Sequence, residues 1–263
     1  MSNKKTSGGF PFIVSALAIV ICLIIGIFIY NFVLGAPGNF DAEGHPHNFW
    51  GIMYKGGFIV PILLGVFLTV LTFAIERFMT IQKANGKGQT DKFVAKIKGL
   101  ISGGDLDGAI AACDEQKGSL GNVVHEGLQK YKFVQNDSSM DKESKVTAIS
   151  KAIEEATALE LPMLSKNMSV ISTCASIGTL VGLIGTVVGM IRAFGALAAA
   201  GTPDTAALAT GISEALVNTL VGILSSALAI IFYNLFSNRV DQLTYAMDEA
   251  GFSIIQEFQT SGK

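Results

Sequence analysis

The chain has 263 residues, of which half are hydrophobic and only 15% are charged, against about 25% in an ordinary soluble domain. That composition excludes a conventional soluble enzyme. A net charge of −2 leaves no basic surplus for a nucleic-acid partner.

The apolar residues are clumped. Lys5 and Asp41 are separated by 35 uncharged residues, Lys55 and Glu76 by 20, and Lys166 and Arg192 by 25; between Asp204 and Arg239 the only charge is Glu214. A helix needs roughly 20 mainly apolar residues to cross a bilayer, so the chain is predicted to be an all-α, polytopic integral membrane protein. Residues 1–9 form a cytoplasmic N-terminus and 10–34 a transmembrane anchor. The anchor's apolar run exceeds the roughly 7–15 residues of a signal-peptide core, so it is read as retained. Residues 35–56 form a periplasmic segment and 57–79 a second span. Residues 80–166 form a helical cytoplasmic domain. They hold 12 Lys and 12 acidic residues and show helical periodicity at Phe93, Ile97 and Ile101, at Val123, Val124, Leu128 and Tyr131, and at Ile149 and Ile153. Asp105 is placed to cap the helix through Cys113. From about residue 140 the chain is expected to run as one helix into the third span, kinked at Pro162. The third span is 168–192, followed by a periplasmic turn over 193–205, a fourth span over 206–236 and an amphipathic cytoplasmic tail over 237–263. Of the 19 Lys and Arg, all but Lys55 and Arg192 fall on one side of this arrangement, which the positive-inside rule makes the cytoplasm. The long helices of the spans are expected to extend into the cytoplasmic domain.

Glu214 is the informative residue. A carboxylate at bilayer depth costs at least about 2.5–3.5 kcal/mol, so it faces a protein interior or a wet cavity. On a helical wheel Gly211, Asn218, Gly222 and Ser225 share its sector, with Thr219 and Ser226 beside it, while Leu216, Val217, Leu220 and Ile223 lie opposite. The third span repeats the design: Ser172, Ser176, Thr179 and Thr186 recur at helical spacing. These residues are read as a pore-lining polar face; the alternative is that the two polar faces pack on each other within one subunit. Gly178 and Gly182, and Gly185 and Gly189, form small-xxx-small pairs for close helix packing. Thr186 and Thr219 can carry a water wire, or each can bond its own i−4 carbonyl. Arg192, near the outer end of the third span, is either within reach of Glu214 or, on the favoured reading, snorkels to the interface and leaves Glu214 without an intramembrane cation. Cys22, Cys113 and Cys174 have no metal or disulfide spacing, and no cofactor or metal site is expected.

The segment Gly182-Leu183-Ile184-Gly185-Thr186-Val187-Val188-Gly189-Met190 resembles the GLLGTVxGM signature of the MotA/TolQ/ExbB proton-channel family. Gly211-Ile212-Ser213-Glu214-Ala215-Leu216, with Thr219 and then Tyr233-Asn234, resembles its GIAEAL…T…YN segment. The match is nearest the ExbB/TolQ branch, since the MotA branch typically lacks a glutamate such as Glu214. The resemblance implies an inner-membrane, proton-motive-force-driven subunit that forms a homo-oligomer, commonly a pentamer. The ring surrounds a dimer of an ExbD/TolR-like single-span protein and energises a TonB-like protein for outer-membrane transport. In it Thr186 and Thr219 match the pore-lining threonines and Glu214 the intramembrane glutamate, giving the ion pathway. The chain departs from the family pattern in its extra span 10–34, in Thr179 where a proline is frequent, and in Pro162. Other readings are a stator for Tol-Pal-like constriction or gliding, driven by H⁺ or Na⁺, and a structural scaffold. An enzyme is not expected: no His, Lys or Asp lies well inside a span to serve an intramembrane protease.

The charge flanks predict that cysteines introduced near Lys4 and Lys263 resist a membrane-impermeant thiol reagent in intact cells, whereas one near His45 is labelled. An N-terminus cleaved after about residue 36, seen by mass spectrometry, contradicts the four-span topology.

Overall fold

The computed structural model describes Phe12–Ala199 and Thr205–Ser261; the expected N-terminus 1–9, the middle of the expected 193–205 turn and the last two residues lie outside them. Among the described residues the chain is all-α, with no strand beyond one isolated bridge between Phe40 and Pro46. Four stretches are helical, long and apolar enough to cross a membrane: Ile13–Leu34, Gly57–Ser102, Lys142–Ala196 and Thr205–Thr260. The described residues divide into two compact units, one from 12–76 and 167–234, the other from 77–166 and 235–261.

The first unit is the apolar one. Helix α1 (Phe12–Ile29) ends in a π-helical turn over Tyr30–Leu34, and a connector holding the short α2 (Phe49–Tyr54) leads to α3 (Val60–Asn85). Helix α1 meets α3 where Gly26 faces Gly65: a Cβ on Gly26 would lie 2.8 Å from the Gly65 nitrogen. Bare backbone on both sides permits the approach, as in other membrane helix pairs. Leu34, Met53, Ile59, Val60 and Leu63 pack with Val217 and Val221 into one buried cluster. Most of the rest of α1 is exposed, including Ile13, Leu17, Ile24 and Phe28, which suits a lipid-facing helix. Helix α8 (Met168–Ala199) and the first half of α9 (Thr205–Ser261) complete the unit.

The second unit is built from α4 (Thr90–Ser102), α5 (Leu106–Gln116), α6 (Gly118–Gln135) and α7 (Lys142–Ser165), with the end of α3 and the second half of α9. Asp105 is the N-cap of α5, accepting from the Gly108 N–H at 2.8 Å. The periodic apolar residues form the core: Phe93, Ile97, Ile101, Val123, Leu128, Ile149, Met247 and Ile254 are all buried. Ile153 is wedged between Gly127 and Gly251, where added Cβ atoms would lie 2.7 and 2.9 Å from it. Tyr131 packs edge-on against Phe258 with ring centroids 4.9 Å apart.

Three expected boundaries change. The chain does not run from 140 into the third span as one helix kinked at Pro162. Pro162 sits inside α7, which continues to Ser165, and the break falls at Lys166–Asn167. There Asn167 adopts φ +60°, a region that asparagine tolerates. Its side chain accepts from Ser15 Oγ at 3.1 Å and donates to Glu76 Oε2 at 3.3 Å. The last turn of α7 is stopped from the other side: Arg77, fully buried, donates to the carbonyls of Met163 and Leu164 at 3.1 and 3.3 Å, satisfying acceptors that a helix end leaves open. Second, the fourth span and the tail, bounded separately at 206–236 and 237–263, form one helix, in keeping with the expected extension of the long span helices. Helix α9 is continuous for 57 residues, about 85 Å at 1.5 Å per residue. Third, α8 stays helical to Ala199, so the first part of the expected 193–205 turn is helix.

Cys113 is buried in α5 and donates to the Ala109 carbonyl at 3.2 Å. Burial, aided by the nearby Asp114 carboxylate, pushes its thiol up from the ordinary 9.0 to about 12. The unfolded chain therefore loses this proton first, so the thiol's contribution to stability is complete below about pH 9 and is lost as pH rises toward 12. Cys113 is expected to resist alkylation at pH 8.5 in the native protein and to react at once in denaturant, read by mass spectrometry; equal rates in both states contradict the burial.

Candidate ion-pathway site

The site is a ladder of polar rungs across the antiparallel pair α8–α9. Glycines bring the helices together. Added Cβ atoms would lie 2.7 Å from Ser226 Oγ at Gly178, 3.1 Å from the Asn218 carbonyl at Gly182, 2.5 Å from Asn218 Cβ at Gly185 and 2.8 Å from the Ala215 nitrogen at Gly189. Gly211 and Gly222 answer them from α9, against Ala193 and Gly182. Backbones this close put short side chains from the two helices within hydrogen-bonding reach.

Three rungs follow in order along the seam. Thr179 Oγ1 donates to Ser226 Oγ at 2.9 Å. Thr186 and Thr219 share a hydroxyl–hydroxyl hydrogen bond, and Thr186 also contacts the Gly182 carbonyl at 3.1 Å. A hydroxyl has one proton; with Thr186 donating to the carbonyl, Thr219 donates to Thr186. Thr186 thus bonds its own i−4 carbonyl, as one of the two sequence readings has it, while also meeting the Thr219 hydroxyl. The third rung is an ion pair: Arg192 Nη1 donates to Glu214 Oε1 at 2.6 Å. Glu214 is buried, nine residues into α9 and about 14 Å along it.

Of the two readings of Arg192, the structure takes the one in which it reaches Glu214, and the favoured expectation of snorkelling is corrected. The register explains it. With Thr186 opposite Thr219, six residues onward on α8 and five back on α9 bring Arg192 opposite Glu214. The turn Gly57–Ile59 closes the rung from another side. Gly57 has φ +77°, and a Cβ there would collide with the Glu214 carboxylate; the Phe58 ring lies 5.3 Å from the Arg192 guanidinium carbon, within cation–π range. Neither residue carried a sequence signal.

The polar-face residues divide. Ser172, Ser176 and Thr179 are exposed on α8, and Thr186 and Thr219 are partly exposed. Asn218 and Ser225 are fully buried within the chain, so one subunit does not present them to a pore: the glycine contacts draw that sector of α9 onto α8. Ser225 donates to its own i−4 carbonyl, that of Val221, at 2.8 Å. Asn218 lies over Gly185, and among the described residues neither of its amide atoms has a hydrogen-bond partner.

Removing one partner of a fully buried ion pair costs roughly 3–5 kcal/mol. Arg192 is half exposed, so Arg192→Met is expected to cost less, about 1–3 kcal/mol. The double change Arg192→Met/Glu214→Gln should recover most of that loss, read as thermal unfolding of the purified chain. Additive single effects contradict the coupling.

With this geometry stand the comparisons. The sequence profile described as the MotA/TolQ/ExbB proton channel family matches residues 115–249, which include both motifs and all three rungs. The Tol-Pal system protein TolQ of Pseudomonas aeruginosa is 24% identical over 199 residues, covering 74% of this chain and 85% of that protein. The biopolymer transport protein ExbB of Pseudomonas putida is 24% identical over 209 residues, covering 78% and 62%. The TolQ of Haemophilus influenzae is 24% identical over 222 residues, covering 81% and 92%. The profile spans more than half of the chain, and the chain belongs to the MotA/TolQ/ExbB proton channel family.

Proposed function

We propose that this chain is an ExbB/TolQ-type channel subunit of the bacterial inner membrane, not an enzyme. It assembles as a homo-oligomer, a pentamer by family resemblance, around a dimer of an ExbD/TolR-like single-span protein. It uses the proton motive force to energise a TonB-like protein. The observation that carries this reading is the stacking of a hydroxyl pair, Thr186–Thr219, next to an ion pair, Arg192–Glu214, inside helices long and apolar enough to cross a membrane. Hydroxyls relay protons through water, and a carboxylate can take one up. The partial exposure of both threonines leaves their edge of the seam open to a pore that further copies would complete. Similarity to two TolQ proteins favours a Tol-Pal-type role as the second reading; it keeps the ring and pathway and changes only the protein that receives the work.

The test is proton flux through the complex reconstituted with its partner, alongside a pull-down of that partner. Thr186→Val and Thr219→Val keep shape and lose the hydroxyl, so flux should fall to background while assembly persists. Glu214→Asp should conduct better than Glu214→Gln, because only the former titrates. Normal flux in both threonine variants removes the water-wire role, and a chain that stays monomeric in native membranes removes the ring.

A further inference from the structure

We propose that the connector helix α2 is a membrane-interface anchor, docking on lipid headgroups and the upper acyl chains through Phe49, Trp50 and Ile52. The connector is a built structure. Asn39, itself buried, donates to the carbonyls of Val33 and Leu34 at 2.7 and 2.9 Å and accepts from Asn48 Nδ2 at 2.9 Å. Asn48 in turn caps α2, accepting from the Gly51 N–H at 2.9 Å. Gly51 sits against the Asn39 carbonyl and Pro46, and Met53 enters the buried cluster. The Tyr54 ring stacks on Tyr30, whose hydroxyl donates to the Tyr54 carbonyl at 3.0 Å. One face of α2 is thereby fixed to the end of the first candidate span.

The other face is bare. Phe49, Trp50 and Ile52 are 56, 52 and 40% exposed, and the two aromatic rings meet edge to face. Two observations identify what covers them. The first is position. Asn39 ties the connector to the last carbonyls of a span whose lipid-facing surface continues to Phe32 and Val33, both exposed. Helix α2 is therefore held beside the level at which that span leaves the hydrocarbon, where tryptophan and its relatives concentrate. The second is charge partition. Asp41, Glu43 and His45 gather in one turn, with His45 Nδ1 3.6 Å from each carboxylate, whereas α2 carries no charge. Lys55 follows directly, with a stem long enough to carry its ammonium to a phosphate. A second protein is a poorer fit, since three side chains of a six-residue helix offer far less than the roughly 800 Å² per partner of a stable interface.

Trp50 is the only tryptophan in the chain and reports on this directly. The full chain is reconstituted in phosphatidylcholine vesicles, plain or brominated at shallow or deep acyl positions, and its emission is compared with that in denaturant. The proposal expects a blue shift, strong loss of emission with shallow-brominated lipid, a smaller loss with deep-brominated lipid, and little quenching by aqueous acrylamide. Emission that acrylamide quenches and bromine does not places Trp50 in water and overturns it. Emission that neither quenches places the ring against protein, such as a second copy, and overturns it equally. The pair of changes Phe49→Trp and Trp50→Phe moves the reporter to the neighbouring exposed position, about 100° around the helix, and should give the same pattern; a divergent pattern counts against the anchor.

Discussion

Close approach of α8 and α9 is the constraint on which the rest of the membrane unit depends. Leu, Val or even Ala at Gly178, Gly182, Gly185 or Gly189 would drive a Cβ into the facing helix. Lipid tails are as apolar as leucine, so this pair gains little from hydrophobic burial; it is held by van der Waals contact and by hydrogen bonds across the seam. Glycine supplies the first by removing side chains and makes the second possible by bringing hydroxyls of two helices into reach. The threonine and serine rungs, and the ion pair beyond them, are consequences of the glycine register.

The ion pair has its own requirement. A carboxylate with one contact at 2.6 Å to a guanidinium still has lone pairs to satisfy, in a region of low dielectric where an uncompensated charge is costly. The chain leaves Arg192 half exposed, with its other donors free of the buried carboxylate, and lays Phe58 over the guanidinium. Gly57 supplies the space for the carboxylate. A turn 157 positions earlier in the chain than Glu214 therefore belongs to the site as much as the motif helices do.

Much of the architecture was legible in residue order. The gaps between charges mark the four candidate spans because a bilayer imposes length on any helix that crosses it. The apolar period marks α4, α6 and α7, and Asp105 announces the start of α5. What was not legible depends on pairs distant in sequence. The end of α7 rests on Arg77, 86 residues from Met163, and by composition that arginine reads only as a basic flank. The extension of α9 past the membrane was expected, and no Gly or Pro interrupts 223–250; the change from apolar to charged residues near Arg239 suggested a boundary there, but hydropathy reports the solvent, and the backbone does not follow it. The Arg192–Glu214 contact was within reach of a register argument from the two threonines. The burial of Asn218 and Ser225 was not, because a wheel separates faces without saying which neighbour takes each one.

Asn218 gives the seam a further property. Its amide, over Gly185, is sealed from water with both ends unsatisfied among the described residues, a penalty of about 1–3 kcal/mol. When the helices part, the same amide is free to bond its own helix's carbonyls, which lightens the penalty carried by the joined state. Glycine contacts deepen the energy well that holds α8 to α9, and this one side chain makes it shallower. The pair is locally frustrated in the middle of an otherwise complementary interface, and its grip is weaker than its tight geometry alone would imply.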